Sequence, residues 1–215
     1  GYPDKDYEAL VKRLRSGFSQ AEYIDISALL SADDFYYTDS HWRQERILKV
    51  ADEIADKMGA ERIGQCEKHD AGVSFYGVYY GQAALPHAPE SLFYLDNAVI
   101  RGLKVYNVET SSDIPVYDLG AAAGRDPYEM FLGGARSIIR ITNPNAAKER
   151  RLIVFRDSFG SSIAPLLAAG YSEITLVDIR YISPSSLGKL IDFTKADDAL
   201  FLYSASVINN SETIK

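Results

Sequence analysis

The chain has 215 residues, 47% hydrophobic and 25% charged, a make-up that suits one well-buried globular domain and excludes a disordered polypeptide. Its formal net charge of -7 at pH 7 argues against nucleic acid as a partner, because phosphate-tracking surfaces concentrate Lys and Arg. One cysteine, Cys66, rules out an intrachain disulfide framework and a cysteine-built metal site, and no apolar run approaches the roughly 18 residues of a membrane span.

Residues 6–59 read as helical with one short strand. Tyr7, Leu10, Val11 and Leu14 recur at helical spacing, and the alternation Tyr23-Ile24-Asp25-Ile26 predicts a strand. Ile47, Val50, Ala51, Ile54, Ala55 and Met58 form one apolar face of a helix closed by Gly59. Ahead of that helix stands Thr38-Asp39-Ser40-His41-Trp42. Asp39 and Ser40 there have the chemistry of N-caps, with His41 a surface residue. Equally, residues two apart in a turn can converge on one site, a carboxylate beside an imidazole Nδ1.

From 65 to 144 the texture changes to an irregular, partly antiparallel insertion within a single domain spanning 1–215. Tyrosines crowd Phe75-Tyr76-Gly77-Val78-Tyr79-Tyr80-Gly81, while Pro86, Pro89 and Pro115 interrupt any long helix. Short strands are expected at residues 92–95, 98–105 and 138–141. The tyrosines suit stacking on sugar rings, and they equally suit packing against the main sheet. Gly133-Gly134 reads either as a tight turn or as a place where backbone amides approach a ligand.

After Arg151, apolar strands at 152–155, 174–179 and 199–203 alternate with helical stretches at 161–169 and 186–194. That alternation predicts a parallel sheet covered on both faces. Ser158 follows the first of these strands, at the carboxyl edge where α/β sites gather. It is either the N-cap of the next helix or a nucleophile. As a nucleophile it requires a base, and His41, oriented by Asp39, supplies that chemistry. His69 and His87 read as surface residues. No metal is expected, because no second histidine stands at ligand spacing from His69.

Asp157-Ser158-Phe159-Gly160 together with Tyr37-Thr38-Asp39-Ser40-His41-Trp42 resembles the paired signature of the DHHW proteins and the related alginate O-acetylation proteins, within the SGNH hydrolase-like superfamily. The likeness extends to Phe75-Tyr76-Gly77, to Phe131-Leu132-Gly133-Gly134 and to Val177-Asp178-Ile179-Arg180-Tyr181. The resemblance implies an SGNH-like parallel sheet flanked by helices, with Ser158 as nucleophile, His41 as general base and then acid, and Asp39 orienting His41. It implies the Ser158 amide as one oxyanion donor, with Gly77 or Gly133-Gly134 as a second. Arg180 and Tyr181 would contact an acyl or sugar group, although Arg180 has an alternative as a structural ion-pair partner of Asp157 or Asp178.

Two departures stand out. Ser40 occupies the place of the first histidine of the DHHW name, and Ala135 stands where many relatives carry asparagine, so one amide donor to an oxyanion is expected to be missing. The implied function is a serine-dependent carbohydrate O-acetyltransferase or acetylesterase, acting without cofactor on an extracytoplasmic polysaccharide or acylated sugar through an acyl-enzyme. A membrane-bound acyl-transfer partner is the implied accessory. The alternative is a non-catalytic carbohydrate-binding or assembly protein on the same fold. The chain starts Gly1-Tyr2-Pro3, and an exported or membrane-anchored protein is expected, with its signal or anchor outside the sequence.

Overall fold

A computed structural model describes residues 6–83 and 87–210; Pro86 and the chain start at Gly1-Tyr2-Pro3 lie outside them. Two sheets are present among the described residues. The small one pairs β1 (Glu67–Phe75) antiparallel with β2 (Glu90–Asp96). The large one has β3 (Lys104–Asn107), β4 (Ser112–Ile114), β5 (Ile138–Thr142), β6 (Arg151–Arg156), β7 (Glu173–Val177) and β8 (Asp198–Leu202) in the order β4-β3-β5-β7-β6-β8. The expected parallel part is β7-β6-β8, with β6 in the middle. The antiparallel strands of the insertion, β3 to β5, extend this same sheet through β7.

Period-two alternation explains how the large sheet is covered on both faces. Ile139, Ile141, Leu152, Val154, Ile174 and Leu176 join the main core, which also takes Val50, Ala51 and Ile54 from the helix Leu48–Lys57 and Leu166 and Leu167 from the 3-10 segment Ala164–Gly170. Ile138, Ile153 and Val177 face the other way, against Leu187 and Ile191. Truncating a fully buried member such as Ile139 to alanine would cost about 2–5 kcal/mol. A third apolar cluster, including Tyr36, Phe75, Leu92, Tyr128 and Phe131, ties the small sheet to the 3-10 turn Pro127–Met130.

Several expected elements differ. Residues 23–26 form no strand, since no neighbouring strand pairs with them; Asp25 Oδ1 instead accepts from the Ser27 N–H and hydroxyl at the start of a 3-10 turn. The expected strand at 98–105 is half helix, Ala98–Gly102, because Asn97 caps it by accepting the Ile100 N–H at 3.0 Å. After Ser158 the α-helix lasts only from Phe159 to Ile163 and tightens to 3-10 at Pro165, which has no N–H to continue it. The helix expected at 186–194 is the short Pro184–Leu187, and Asp192 caps a separate 3-10 turn. Nor do Asp39 and Ser40 cap the helix Leu48–Lys57, whose N-cap position is Ile47. Among the described residues no helix is long and apolar enough to cross a membrane.

Candidate active site

The carboxyl end of β6 presents Asp157 and Ser158. Asp157 accepts the Phe159 N–H at 3.0 Å and the Ser204 N–H at 2.7 Å, so both its oxygens pin the turn, one of them to the segment that follows β8. Ser158 stands at the N-cap position of the helix Phe159–Ile163, yet its hydroxyl makes no capping bond. The hydroxyl instead lies 2.7 Å from His41 Nε2.

His41 reaches Ser158 from a tight loop. An antiparallel bridge between Phe35 and Trp42, a Tyr36 N–H to His41 O bond and an Arg43 N–H to Asp34 O bond close it. Inside the loop Asp39 forms an Asx turn: its Oδ1 accepts the His41 N–H at 2.9 Å and lies 2.5 Å from His41 Nδ1. The Asp-x-His spacing thus lets one carboxylate oxygen hold both the backbone and the ring of the same histidine. With Nδ1–H donating to Asp39, Nε2 is left to accept the Ser158 proton. Burial opposes ionisation of Asp39, but the bonds from His41 and the amides of His41 and Val78 hold its pKa below the ordinary carboxylate value.

The imidazole is flanked by aromatic rings. Tyr128 stacks on it with centroids 4.0 Å apart, and Phe159 lies at 5.1 Å. Ser162, one turn beyond the serine, collects the supports: its hydroxyl accepts from Tyr128 Oη and from Trp42 Nε1, each at 2.7 Å, and its carbonyl accepts from Gln44 Nε2 at 2.6 Å. The tryptophan of the motif is therefore an anchor that fastens the His41 loop to the helix carrying Ser158.

The insertion fastens the other side of the loop. Glu90 of β2 accepts the Thr38 N–H at 3.0 Å and the Thr38 hydroxyl at 3.1 Å, and its second oxygen lies 2.5 Å from Arg43 Nη2. Burial raises the Glu90 pKa, but the Tyr37 and Thr38 N–H groups, Arg43 and the Thr38 hydroxyl outweigh it and leave it lowered. Thr38 Oγ1 accepts the Gly77 N–H, Asp39 Oδ2 accepts the Val78 N–H, each at 3.0 Å, and Thr38 O accepts the Tyr79 N–H at 2.9 Å.

Ser158, His41 and Asp39 are thus brought together; the other expected site residues take varied places. Gly77 sits against the loop, where a Cβ would lie 2.2 Å from Thr38 O, and its amide is committed to Thr38. The expectation of Gly77 as an oxyanion donor is corrected by that bond. Gly133 and Gly134, at φ +71° and +73°, form a tight turn in which Gly134 N–H bonds Phe131 O. The N–H groups of Ser158 and Gly133 donate to no protein acceptor among the described residues. Ala135 offers only a methyl group, and its carbonyl accepts from Arg136. Arg180 grips the fully buried Asp178 through two bonds, 2.9 and 2.7 Å, which realises its structural alternative. Tyr181 is exposed beside the Arg180 guanidinium. His69 stacks on Tyr94 and His87 on Tyr37, neither is bonded to Ser158, His41 or Asp39, and no three metal-ligating side chains gather among the described residues.

Sequence reasoning missed Tyr128, Ser162, Val78, Arg43 and Glu90 as parts of this site. Glu90 is 52 residues from its partner Thr38, and no local pattern marks that pairing.

The mixed α/β sheet thus presents a serine at the end of the middle parallel strand, beside a histidine and a buried aspartate. The family model described as DHHW protein matches residues 26–177, and the chain belongs to the DHHW family. Its structure is similar to that of a DHHW family protein from Eubacterium siraeum DSM 15702, with a TM-score of 0.74 and 19% identity over 99% of this chain and 77% of that one. It is also similar to Bacillus cereus PatB1, with a TM-score of 0.62 and 20% identity over 82% of this chain and 64% of that one. A form of PatB1 carrying a sulfonyl adduct matches with a TM-score of 0.62 and 21% identity over 82% and 62%. At these identities the likeness establishes the fold, and the matched part is less than two thirds of PatB1. A comparison with curated proteins gives no significant match.

Proposed function

We propose that the protein is a serine-dependent acyl-transfer enzyme acting on acyl esters of an extracytoplasmic carbohydrate, as a polysaccharide O-acetyltransferase or acetylesterase. The observation that carries this reading is the unbroken relay from Ser158 Oγ through His41 Nε2 and Nδ1 to Asp39 Oδ1. An unassisted serine hydroxyl is a poor nucleophile, and a positioned base contributes roughly 10²–10⁴-fold in rate.

In this mechanism Ser158 Oγ attacks the acyl carbonyl carbon as its proton passes to His41 Nε2. Asp39 stabilises the resulting imidazolium through Nδ1–H. The negative charge on the tetrahedral oxygen falls to the uncommitted amides of Ser158 and Gly133, since Ala135 adds no side-chain donor. Collapse breaks the ester bond, and the departing alcohol takes the proton from Nε2, leaving acyl-Ser158. A sugar hydroxyl or water then gives its proton to His41 Nε2 as it attacks the acyl carbon, and collapse breaks the bond to Ser158 Oγ, which takes that proton back from Nε2 as it leaves. A membrane-bound acyl-transfer partner would supply the acyl groups to this site. The rival reading, a non-catalytic carbohydrate-binding or assembly protein, draws its support from the missing donor at Ala135.

Hydrolysis of p-nitrophenyl acetate by wild type, Ser158→Ala and His41→Ala tests the proposal. Turnover lost in both variants is the expected result. A sulfonyl adduct is what an activated hydroxyl forms with a sulfonylating reagent, so phenylmethylsulfonyl fluoride should modify Ser158 in wild type and not in His41→Ala. No Ser158-dependent turnover and no adduct would sink the enzyme reading.

A further inference from the structure

Single exposed aromatics occur at several places on this surface, but three exposed tyrosines stand on two segments that bond to each other, and a grouped apolar patch is what marks a binding surface. Tyr37 is 81% exposed, Tyr76 43% and Tyr79 46%, with Tyr80 half-buried against Tyr76 at a ring separation of 4.6 Å. Tyr37 lies two residues before Asp39. The segment carrying Tyr76 and Tyr79 is held to the same loop by the Gly77, Val78 and Tyr79 amides. The aromatic patch and the His41 relay are therefore built on one rigid unit.

We infer that Tyr37, Tyr76 and Tyr79 form a platform that seats the pyranose rings of a neutral glycan beside Ser158, as the acceptor or acylated chain of the proposed reaction. The inference rests on that reading for the chemistry but not for the binding. A pyranose ring has an apolar face of C–H groups edged by hydroxyls, and a tyrosine offers a flat apolar face with a polar tip. The patch is uncharged in sequence as well as exposed. Residues 35–42 and 74–82 contain a single formally charged side chain, Asp39, which is buried and bonded to His41. Arg43 and Glu90 nearby neutralise each other. These two segments carry no Lys or Arg, and the basic group against the platform tyrosines is the His87 imidazole stacked on Tyr37 at 5.2 Å, so with little positive charge to hold a uronate polymer the platform favours neutral hexose or N-acetylhexosamine chains.

Calorimetric titration of the Ser158→Ala protein with cellohexaose, chitohexaose and a mannuronate hexasaccharide reads the platform separately from turnover. At least one neutral hexasaccharide should bind and the mannuronate should not. Adding Tyr37→Ala or Tyr79→Ala should weaken binding about tenfold, and Tyr37→Phe should retain it. Tyr37 is exposed enough that its removal should leave the melting temperature unchanged, so Tyr37→Ala decides the matter even if Tyr79→Ala folds poorly. Absence of neutral-glycan binding, preference for the mannuronate, or affinity indifferent to Tyr37→Ala would overturn the inference. Glycan binding in Ser158→Ala together with a wild type inert toward p-nitrophenyl acetate would instead overturn the acyl-transfer reading and keep the platform.

Discussion

The phenol ring of Tyr128 lies nearly flat against the His41 imidazole, with centroids 4.0 Å apart and planes 17° from parallel. This contact fixes the plane in which His41 reaches both Ser158 and Asp39. It also sets an electron-rich face beside a ring that becomes cationic when it takes the serine proton, an arrangement that favours the charged state.

Tyr128→Phe keeps that face and loses the Oη bonds to Ser162 Oγ at 2.7 Å and to Trp42 O at 3.4 Å, so it should cost about 1 kcal/mol of stability and retain most of kcat. Tyr128→Leu removes the flat ring. It should lower stability by about 3 kcal/mol and kcat on p-nitrophenyl acetate by about tenfold, with KM little changed. Equal kcat in the two variants would show that the stack does not matter.

Glu90 never touches His41, yet it holds Thr38 next to Asp39. Glu90→Ala should leave Arg43 without its 2.5 Å partner and the Thr38 donors unmet, costing about 3 kcal/mol in urea unfolding. The rate of sulfonylation at Ser158 should fall with it, and Glu90→Gln, which keeps an acceptor oxygen, should recover part of that rate. A Glu90→Ala protein that is destabilised but labelled at the wild-type rate would separate the clamp from the site.

Gly77 is required by space, not by backbone conformation. A Cβ there would lie 2.2 Å from Thr38 O and 2.4 Å from Asp39 Cβ, so Gly77→Ala should destabilise by about 1–3 kcal/mol or more and slow Ser158 labelling. Gly81, in the helix Val78–Ala83 that follows Gly77, has no neighbouring atom within 4 Å of its Cβ position. Gly81→Ala should therefore be neutral or stabilising by up to about 1 kcal/mol, and the pair of variants tests whether close approach is the reason.

Acid should weaken the protein through the same carboxylates. Asp39 and Glu90 titrate lower in the folded state than in the unfolded chain, despite burial, because of the donors around them. Between the two pKa values the unfolded chain binds more protons, so stability rises with pH there. Their contribution is complete above the ordinary carboxylate range near pH 4 and is lost as pH falls through the folded values. Glu45 has the opposite sign: burial raises its pKa, so its contribution is present at low pH and declines as pH rises through the folded value. Urea midpoints measured from pH 7 down to pH 3 should fall less steeply in Asp39→Asn than in wild type; identical slopes would refute the assignment.

What could be read from the chain itself was whatever a few neighbouring residues decide. The apolar runs after Arg151 became the three parallel strands β6, β7 and β8, and the apolar face at 47–58 became the helix Leu48–Lys57. The Asp39-x-His41 spacing was legible because an Asx turn spans two residues. Where a cap competed with a short β-like run, as at Asn97, the run alone misled. The strand expected at 23–26 failed for lack of a partner, which no local pattern reveals.

The meeting of His41 with Ser158, 117 residues apart, could be expected from paired motifs, but the 2.7 Å contact exists only in the assembled fold. Tertiary structure also assigned Tyr128 to the imidazole face, Glu90 to the loop clamp, Gly77 to a close approach and Arg180 to Asp178. The reason is physical. Periodicity, capping and turns are decided over a few residues of backbone. A site made of side chains dozens of residues apart depends on which surfaces the burial of the sheet and its insertion press together.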